Sequence, residues 1–352
     1  MKERQSNIEL LRIFAIMGVI ILHYNNTSMG GALRFTEGLK VNHTILVILE
    51  SVAICAVDLF VLISGYFLIG TNRRNMLKPI QLVIQVMVFS ELQYLIKALV
   101  YRQVISARGI VYAIVPANYF VILYVVLYII SPIYNIAIGK LTGQSLKKLV
   151  AICFLLFSLW PTLSDVFNTI TKYEWLGLST IGMYGSQYGY TIVNFSLMYL
   201  IGAFLKLSEG EINISRVMLV FVAVCSVIAT ALWSRIDTTT AWEYCQPFVV
   251  ILSVAVFLLF KQIDIGHRKW INSLAESGFT CFLLHSVFLP FIRIEQFVTG
   301  SVWVMLLHIV AATIGIYCLC WVVYKIYSFV TGLVFDRVNK DRFMLMFETK
   351  QE

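Results

Sequence analysis

The chain has 352 residues, 59% of them hydrophobic, and a mean hydropathy of +0.83, which together exclude a soluble domain of any fold class. Its net charge of +8 does not call for a nucleic acid, because basic loops facing anionic lipid account for such an excess. The sequence therefore predicts an integral membrane protein with the lipid bilayer as a partner and no nucleic acid.

Ten apolar runs follow one another along the chain, each of roughly the length that crosses ~30 Å of hydrocarbon. They predict an all-α, polytopic integral membrane protein with about ten transmembrane helices. The first run carries charge and lacks a small-residue cleavage site, so we expect it to be retained. The predicted runs are 9–24, 44–69, 79–101, 118–138, 147–163, 191–207, 216–234, 245–261, 274–297 and 301–331.

Lysine and arginine accumulate in alternate connections between these runs. They cluster before the first run, after the second, fourth, sixth and eighth runs and in the C-terminal tail, and are sparse in the remaining connections. Because positive residues favour the cytoplasmic face, we expect both termini to be cytoplasmic. No linker divides the chain, so the sequence predicts one transmembrane domain at 1–335 and a short basic cytoplasmic tail at 336–352.

The first run, IELLRIFAIMGVIILHYNN, contains Arg12 and His23 at membrane depth, where ionisable groups are costly and usually functional. Their spacing of eleven residues brings both to one helix face, about 16 Å apart along the axis. A neutral imidazole in a half-apolar cavity is a suitable general base for a hydroxyl group. The alternatives are an arginine that snorkels to the interface and a histidine that only bonds a neighbouring backbone.

The second run, AVDLFVLISGYFLIG, places Asp58 among apolar residues. Its depth is estimated to be close to that of Arg12, which predicts a buried ion pair, with a purely structural pin between two helices as the alternative. Ser64 follows where small residues allow close helix approach. Arg73 and Arg74 lie just beyond and are candidates to bind the phosphates of a cytosolic ligand, although positive-inside topology alone also explains them.

Two later runs supply further candidates. In NYFVILYVVLYIISPIYN, Tyr124 and Tyr128 share a helix face and are candidates to line a cavity, while Tyr119 fits an interfacial belt. In FTCFLLHSVFLPF, His285 lies at a depth comparable with that of His23, so the two histidines are predicted to frame a reaction centre. The alternative is a core histidine satisfied by its surroundings.

Several common chemistries are not indicated. No G-x-S-x-G elbow, dinucleotide-binding glycine motif or P-loop occurs. The seven cysteines lie in or beside apolar runs without metal-site spacing, so no metal is expected. Covalent catalysis is therefore not the first choice.

Arg12 and His23 in the first run, followed by AVDLFVLISGYFLIG, resemble the membrane acyltransferase 3 family, in its glycan O-acetyltransferase branch. The likeness continues through NYFVILYVVLYIISPIYN, YGYTIVNFSLMYLIGAFLK, EYCQPFVVILSVAVFLLFK and FTCFLLHSVFL in the family's order. The resemblance implies a ten-helix domain that transfers an acyl group from a cytosolic thioester to a hydroxyl at the outer side. It implies His23 as the catalytic base and Arg12 as the essential cation, which Asp58 would hold.

The resemblance also implies acetyl-CoA as the acyl-donor substrate, and Ser64, Arg73, Arg74, Tyr119, Tyr124, Tyr128 and His285 are the candidates to bind substrate or acyl-CoA. Tyr119 stands where family members commonly carry tryptophan. The segment after Arg74 is NMLKP, where members often carry a further run of arginine. The expected acceptor is a glycan, either capsule, exopolysaccharide or a lipid-linked sugar, at the bacterial cytoplasmic membrane. A homo-oligomer is compatible with the sequence.

A membrane transporter or flippase of a lipid-linked sugar or small solute is the alternative function. Arg12, Asp58, His23 and His285 would then form a proton or substrate relay. The weak internal symmetry of the sequence counts against it.

Overall fold

The structure is a computed structural model that describes residues 4–173, 175, 178–179, 189–335, 337–338 and 340–347. Helices dominate the described residues, which confirms an all-α, polytopic membrane protein. The helices are α1 Ser6–Asn25, α2 Ala32–Phe35, α3 Lys40–Ala53, α4 Ala56–Leu68, α5 Leu77–Val100, α6 Ala107–Ile114, α7 Tyr119–Gly139, α8 Gly143–Phe154, α9 Trp160–Thr171, α10 Ile192–Leu207, α11 Arg216–Trp233, α12 Thr238–Ala241, α13 Pro247–Lys261, α14 Lys269–Ala275, α15 Gly278–Phe288, α16 Ile294–Val298 and α17 Val302–Phe335.

Several of these helices begin at a polar N-cap. The cap side chain accepts a hydrogen bond from the backbone N–H three residues further on, which satisfies one of the free donors of the first turn. The residues that do so include Asn118 before α7, Thr142 before α8, Thr191 before α10 and Ser215 before α11.

Each of the ten predicted runs coincides with a helix or a helix pair, but their lengths differ. Among the described residues, seven helical segments are long and apolar enough to cross a membrane. An eighth is the pair 269–275 and 278–291, which is bent by 56°. The two remaining helices, α10 and α13, have only 16 and 15 residues. Both bury many of their residues against neighbouring helices.

The core is built around α1, which contacts α3, α4, α13, α14, α15 and α17. The closest helix pair is α4 with α10. A Cβ atom at Gly65 would clash with the carbonyl oxygen of Tyr199, and one at Gly202 would clash with that of Leu62. Small residues therefore let the two backbones meet, which is the close approach predicted for the segment after Ser64.

A charged cluster ties the ends of α4, α10 and α13 together. Glu209 accepts hydrogen bonds from the hydroxyl of Tyr66 at 2.6 Å and from Lys206, and Lys261 lies 2.8 Å from it. Partial burial alone would raise the pKa of Glu209, but these donors outweigh it and lower the pKa to about 2. The carboxylate therefore stays ionised at neutral pH.

The described part of the predicted tail packs against the helical domain. Strand β1 Arg73–Asn75 pairs antiparallel with strand β2 Met344–Met346, and Arg73 lies opposite Met346. The backbone N–H of Met76 also donates to the carbonyl oxygen of Phe343 at 2.8 Å. This part of the tail thus covers the segment that follows α4.

Candidate functional site

The two predicted site histidines are in direct contact. His23, near the end of α1, and His285, in α15, place Nδ1 and Nε2 respectively 2.6 Å apart. Nδ1 of His285 lies 2.9 Å from the carbonyl oxygen of Cys281, and Nδ1 of His23 lies 3.1 Å from that of Val19. The predicted similarity in depth therefore corresponds to a hydrogen-bonded pair.

These contacts determine where the protons of the neutral pair lie. A carbonyl oxygen can only accept, so His285 carries its proton on Nδ1 and offers the lone pair of Nε2. Nδ1 of His23 faces that lone pair and the carbonyl oxygen of Val19, and therefore donates. The lone pair of His23 then lies on Nε2, which has no hydrogen-bond partner among the described residues. The arrangement provides an unpaired base.

His23 borders a cavity of about 330 Å³, which we call the His23 pocket. Its walls combine aromatic rings with hydroxyl and carboxyl groups, a composition typical of sites for small polar ligands. The lining residues include His23, Glu50, Tyr119, Tyr190, Trp242, Tyr244 and Phe282.

Arg12 borders a separate cavity of about 370 Å³, the Arg12 pocket. Arg12 is one-third exposed and pairs with Glu9 at 2.8 Å, and Arg4 pairs with Glu276 at 3.1 Å. The predicted candidates Ser64 and Tyr124 also lie here. The lining residues include Arg4, Glu9, Arg12, Ser64, Phe120, Tyr124, Glu276 and Phe282. This pocket is a mixed-charge site suited to a ligand that carries both charge and a long polar arm.

The predicted ion pair between Arg12 and Asp58 is wrong. Among the described residues, Asp58 receives its hydrogen bond from Asn194 Nδ2 at 3.1 Å, while Arg12 pairs with Glu9. Asp58 precedes Ser64 of the Arg12 pocket by six residues of α4, which places it about 9 Å further toward the His23 end. It borders neither pocket among the described residues, so its contact with α10 favours a structural role.

Phe282 lines both the Arg12 pocket and the His23 pocket. Its ring centroid lies 5.0 Å from that of Phe120 and 6.5 Å from that of His285. Phe120 in turn packs edge-on against Phe60 and is stacked on Tyr124. A cluster of aromatic rings thus borders both pockets.

Arg74 is held by the protein. It is 1% exposed, and its Nε donates to Ser131 Oγ at 2.8 Å. Its Nη atoms donate to the carbonyl oxygens of Thr71, Arg73 and Leu68. The predicted role of Arg74 as a phosphate ligand therefore does not fit, since its guanidinium fixes the turn after α4.

The remaining predicted site residues lie either beside Arg74 or in the His23 pocket. Arg73 is exposed beside Arg74. The ring of Tyr128 lies 5.7 Å from the Arg74 guanidinium, and its hydroxyl donates to Asn75 O at 3.4 Å, so it belongs to the Arg74 cluster. Tyr119 packs against Tyr190 in the His23 pocket, with ring centroids 4.4 Å apart.

Sequence reasoning missed Glu50, which lies in α3 and borders the His23 pocket. The signal was present, because a carboxylate inside the second apolar run meets the same criterion that identified Asp58. Trp242 and Tyr244 were also missed. They lie between α12 and α13, and only the tertiary fold brings them to His23.

Two larger cavities lie elsewhere, with volumes of about 890 and 840 Å³. Both are almost wholly apolar grooves between helices, one beside α11 and one beside α1. They lack the convergent polar groups of a reaction site and fit the acyl chains of lipids.

A family model described as an acyltransferase domain matches residues 5–325. The chain belongs to the acyltransferase 3 family. The match includes the two histidines and, except for Arg4, the described lining of both pockets, and it identifies the protein as a membrane acyltransferase. Comparison with curated proteins and with solved structures gives no match.

Proposed function

We propose that this membrane acyltransferase moves an acetyl group from cytosolic acetyl-CoA to a hydroxyl of a cell-surface or lipid-linked glycan, at the bacterial cytoplasmic membrane. The observation that carries the proposal is the unpaired Nε2 of His23 at the border of a polar, aromatic pocket. An acyl transfer to an alcohol needs a base at this position, because the hydroxyl must lose its proton as it attacks.

The reaction proceeds by direct transfer. His23 Nε2 takes the proton of the acceptor hydroxyl while its oxygen forms a bond to the thioester carbonyl carbon. The carbon–sulfur bond then breaks, and the thiolate of coenzyme A leaves and receives a proton from the imidazolium. His285 stabilises the positive charge of the His23 imidazolium, because its Nε2 accepts a hydrogen bond from the Nδ1–H of His23 throughout the reaction.

The donor occupies the Arg12 pocket. The positive-inside pattern of the sequence supports an orientation in which this end of α1 and both termini face the cytoplasm. Arg4 and Arg12 supply positive charge at this pocket. Of the two arginines that follow α4, the exposed Arg73 is the one that binds the phosphates of coenzyme A. The pantetheine arm carries the acetyl group past Phe282 toward His23.

Replacement of His23 tests the proposal. In the purified full chain, His23→Gln is expected to lower kcat for acetyl transfer by about 10²–10⁴-fold, the usual contribution of a positioned general base. His308→Gln is the matched control, because His308 is a helical histidine bonded to Tyr24 and to Ile292 O outside the pocket. Transfer by His23→Gln at the wild-type rate would contradict the proposal.

Coenzyme A binding separates this function from transport. A transferase is expected to release thiol from acetyl-CoA and to be stabilised thermally by coenzyme A, since binding to the folded state raises stability by mass action. A flippase or solute transporter is expected to do neither. Membership of an acyltransferase family favours the first outcome.

A further inference from the structure

We infer that the His23 pocket binds a single uncharged sugar ring, and that Glu50 is a specificity-determining residue for it. This inference rests on the proposed function, because it assigns the acceptor of the same reaction. It goes further by excluding acidic sugars such as uronic and sialic acids.

Glu50 presents a carboxyl oxygen to the pocket. The residue is 7% exposed, and its Oε2 accepts a hydrogen bond from Asn25 Nδ2 at 2.9 Å, which fixes the carboxyl group. Its Oε1 has no partner among the described residues and is not enclosed by protein, so it reaches the cavity that the residue lines. A fixed carboxyl oxygen at a pocket wall is suited to a hydrogen bond with a ligand hydroxyl.

Three tyrosine rings form another part of the pocket lining. The ring centroid of Tyr190 lies 4.4 Å from that of Tyr119 and 5.1 Å from that of Tyr244. Aromatic rings offer an apolar surface to the C–H groups of a sugar ring. The volume of about 330 Å³ is at the small end for ligand sites, which typically span roughly 300–1,000 Å³, so a single ring fits better than an oligosaccharide.

The described lining of this pocket carries no lysine or arginine. The connection between α9 and α10 holds one lysine, Lys172, which is exposed and is not among the described lining residues. A carboxylate on the ligand would therefore be desolvated beside Glu50 without a counterion, which is strongly unfavourable.

The catalytic requirement points the same way. Among the described residues that line the pocket, His23 in its protonated form is the one group that could carry a positive charge. Protonated His23 cannot accept the acceptor's proton, so an anionic sugar that bound in this way would inhibit its own acylation. A neutral ring leaves the Nε2 lone pair available.

The test compares glycosides that differ only at C6. The purified full chain is supplied with acetyl-CoA and with p-nitrophenyl glucoside, glucuronide, galactoside or galacturonide, and the acetylated product is quantified by mass spectrometry. We expect kcat/KM to be at least tenfold higher for the better neutral glycoside than for its uronide. Equal or faster acetylation of the uronides would overturn the inference without the use of any variant.

Glu50 is tested by a split between KM and kcat. Glu50→Ala is expected to raise KM for the neutral glycoside at least fivefold. Glu50→Gln is expected to restore most of it, because its amide oxygen keeps the bond from Asn25 Nδ2 and its NH2 group then faces the pocket and can donate to a ligand hydroxyl. Glu37→Ala, on the exposed connection before α3, is the control. An unchanged KM in Glu50→Ala would overturn the role of Glu50.

Failure of the two proposals can be told apart. If the wild-type chain releases thiol from acetyl-CoA but acetylates none of the four glycosides, a single-ring acceptor is excluded and the proposed acyltransferase reaction stands. If it neither releases thiol nor is stabilised by coenzyme A, the proposed function fails and the inference fails with it.

Discussion

Replacing His285 with phenylalanine tests whether it acts through His23 or on the substrate itself. Phenylalanine keeps a planar ring of similar size in the buried site and removes Nε2, which lies 2.6 Å from Nδ1 of His23. His23 keeps its bond to Val19 O at 3.1 Å, so its tautomer is weakened but still favoured. We therefore expect kcat to fall less in His285→Phe than when His23 is replaced.

The magnitude follows from the difference between two hydrogen bonds. A neutral bond contributes a net of about 0.5–1.5 kcal/mol, and a bond from a charged donor about 1.5–3 kcal/mol. Only the extra stabilisation gained when His23 becomes an imidazolium lowers the barrier, and this is about 1–1.5 kcal/mol. Since about 1.4 kcal/mol corresponds to a factor of ten, kcat should fall roughly tenfold.

The assay is steady-state acetyl transfer by the purified chain, with kcat and KM determined separately. KM should stay near the wild-type value, because His285 does not line either pocket among the described residues. A loss of kcat as large as that of His23→Gln would refute the reasoning and assign His285 to the substrate. Full activity would show that Val19 O alone orients the base.

Three further outcomes are expected. Phe282→Ala should raise the ratio of acetyl-CoA hydrolysis to transfer several-fold, measured as thiol release without product, whereas Phe279→Ala, which borders only the Arg12 pocket among the described residues, should not. Asn194→Leu should lower the free energy of unfolding in detergent by about 1–3 kcal/mol, and adding Asp58→Leu should recover part of it. Because the folded-state pKa of Glu209 is lowered from 4.5 to about 2, its stabilisation should be complete above pH 4.5 and disappear toward pH 2, so the Tm difference between wild type and Glu209→Gln should vanish over that range.

The sequence predicts the helices well because their signal is local. A long apolar run must be helical in lipid to satisfy its backbone, so each predicted run coincides with a helix or a helix pair. The contact between His23 and His285 was also accessible, since depth along two spans can be counted in residues.

The sequence does not predict those side-chain contacts that depend on how each helix is rotated about its axis. Arg12 and Asp58 were paired by depth alone, yet Glu9 lies three residues from Arg12 on the same helix and needs no second helix to reach it. Asp58 meets Asn194, which is 136 positions away in sequence, through the close packing of α4 on α10. No local pattern identifies such a contact.

In the proposed reaction, Phe282 would protect the thioester from water. The Arg12 and His23 pockets both carry polar groups, so an open path between them would bring water to the acetyl group. An aromatic ring that lines both pockets would exclude this water and is a single side chain that a ligand arm could displace. Phe282 is also three residues from His285, so one turn of α15 carries both the barrier and the partner of the base. We therefore expect substitutions at Phe282 and His285 to have different effects. Loss of the Phe282 ring should favour hydrolysis of the thioester over transfer, whereas loss of the His285 imidazole should slow transfer and hydrolysis alike.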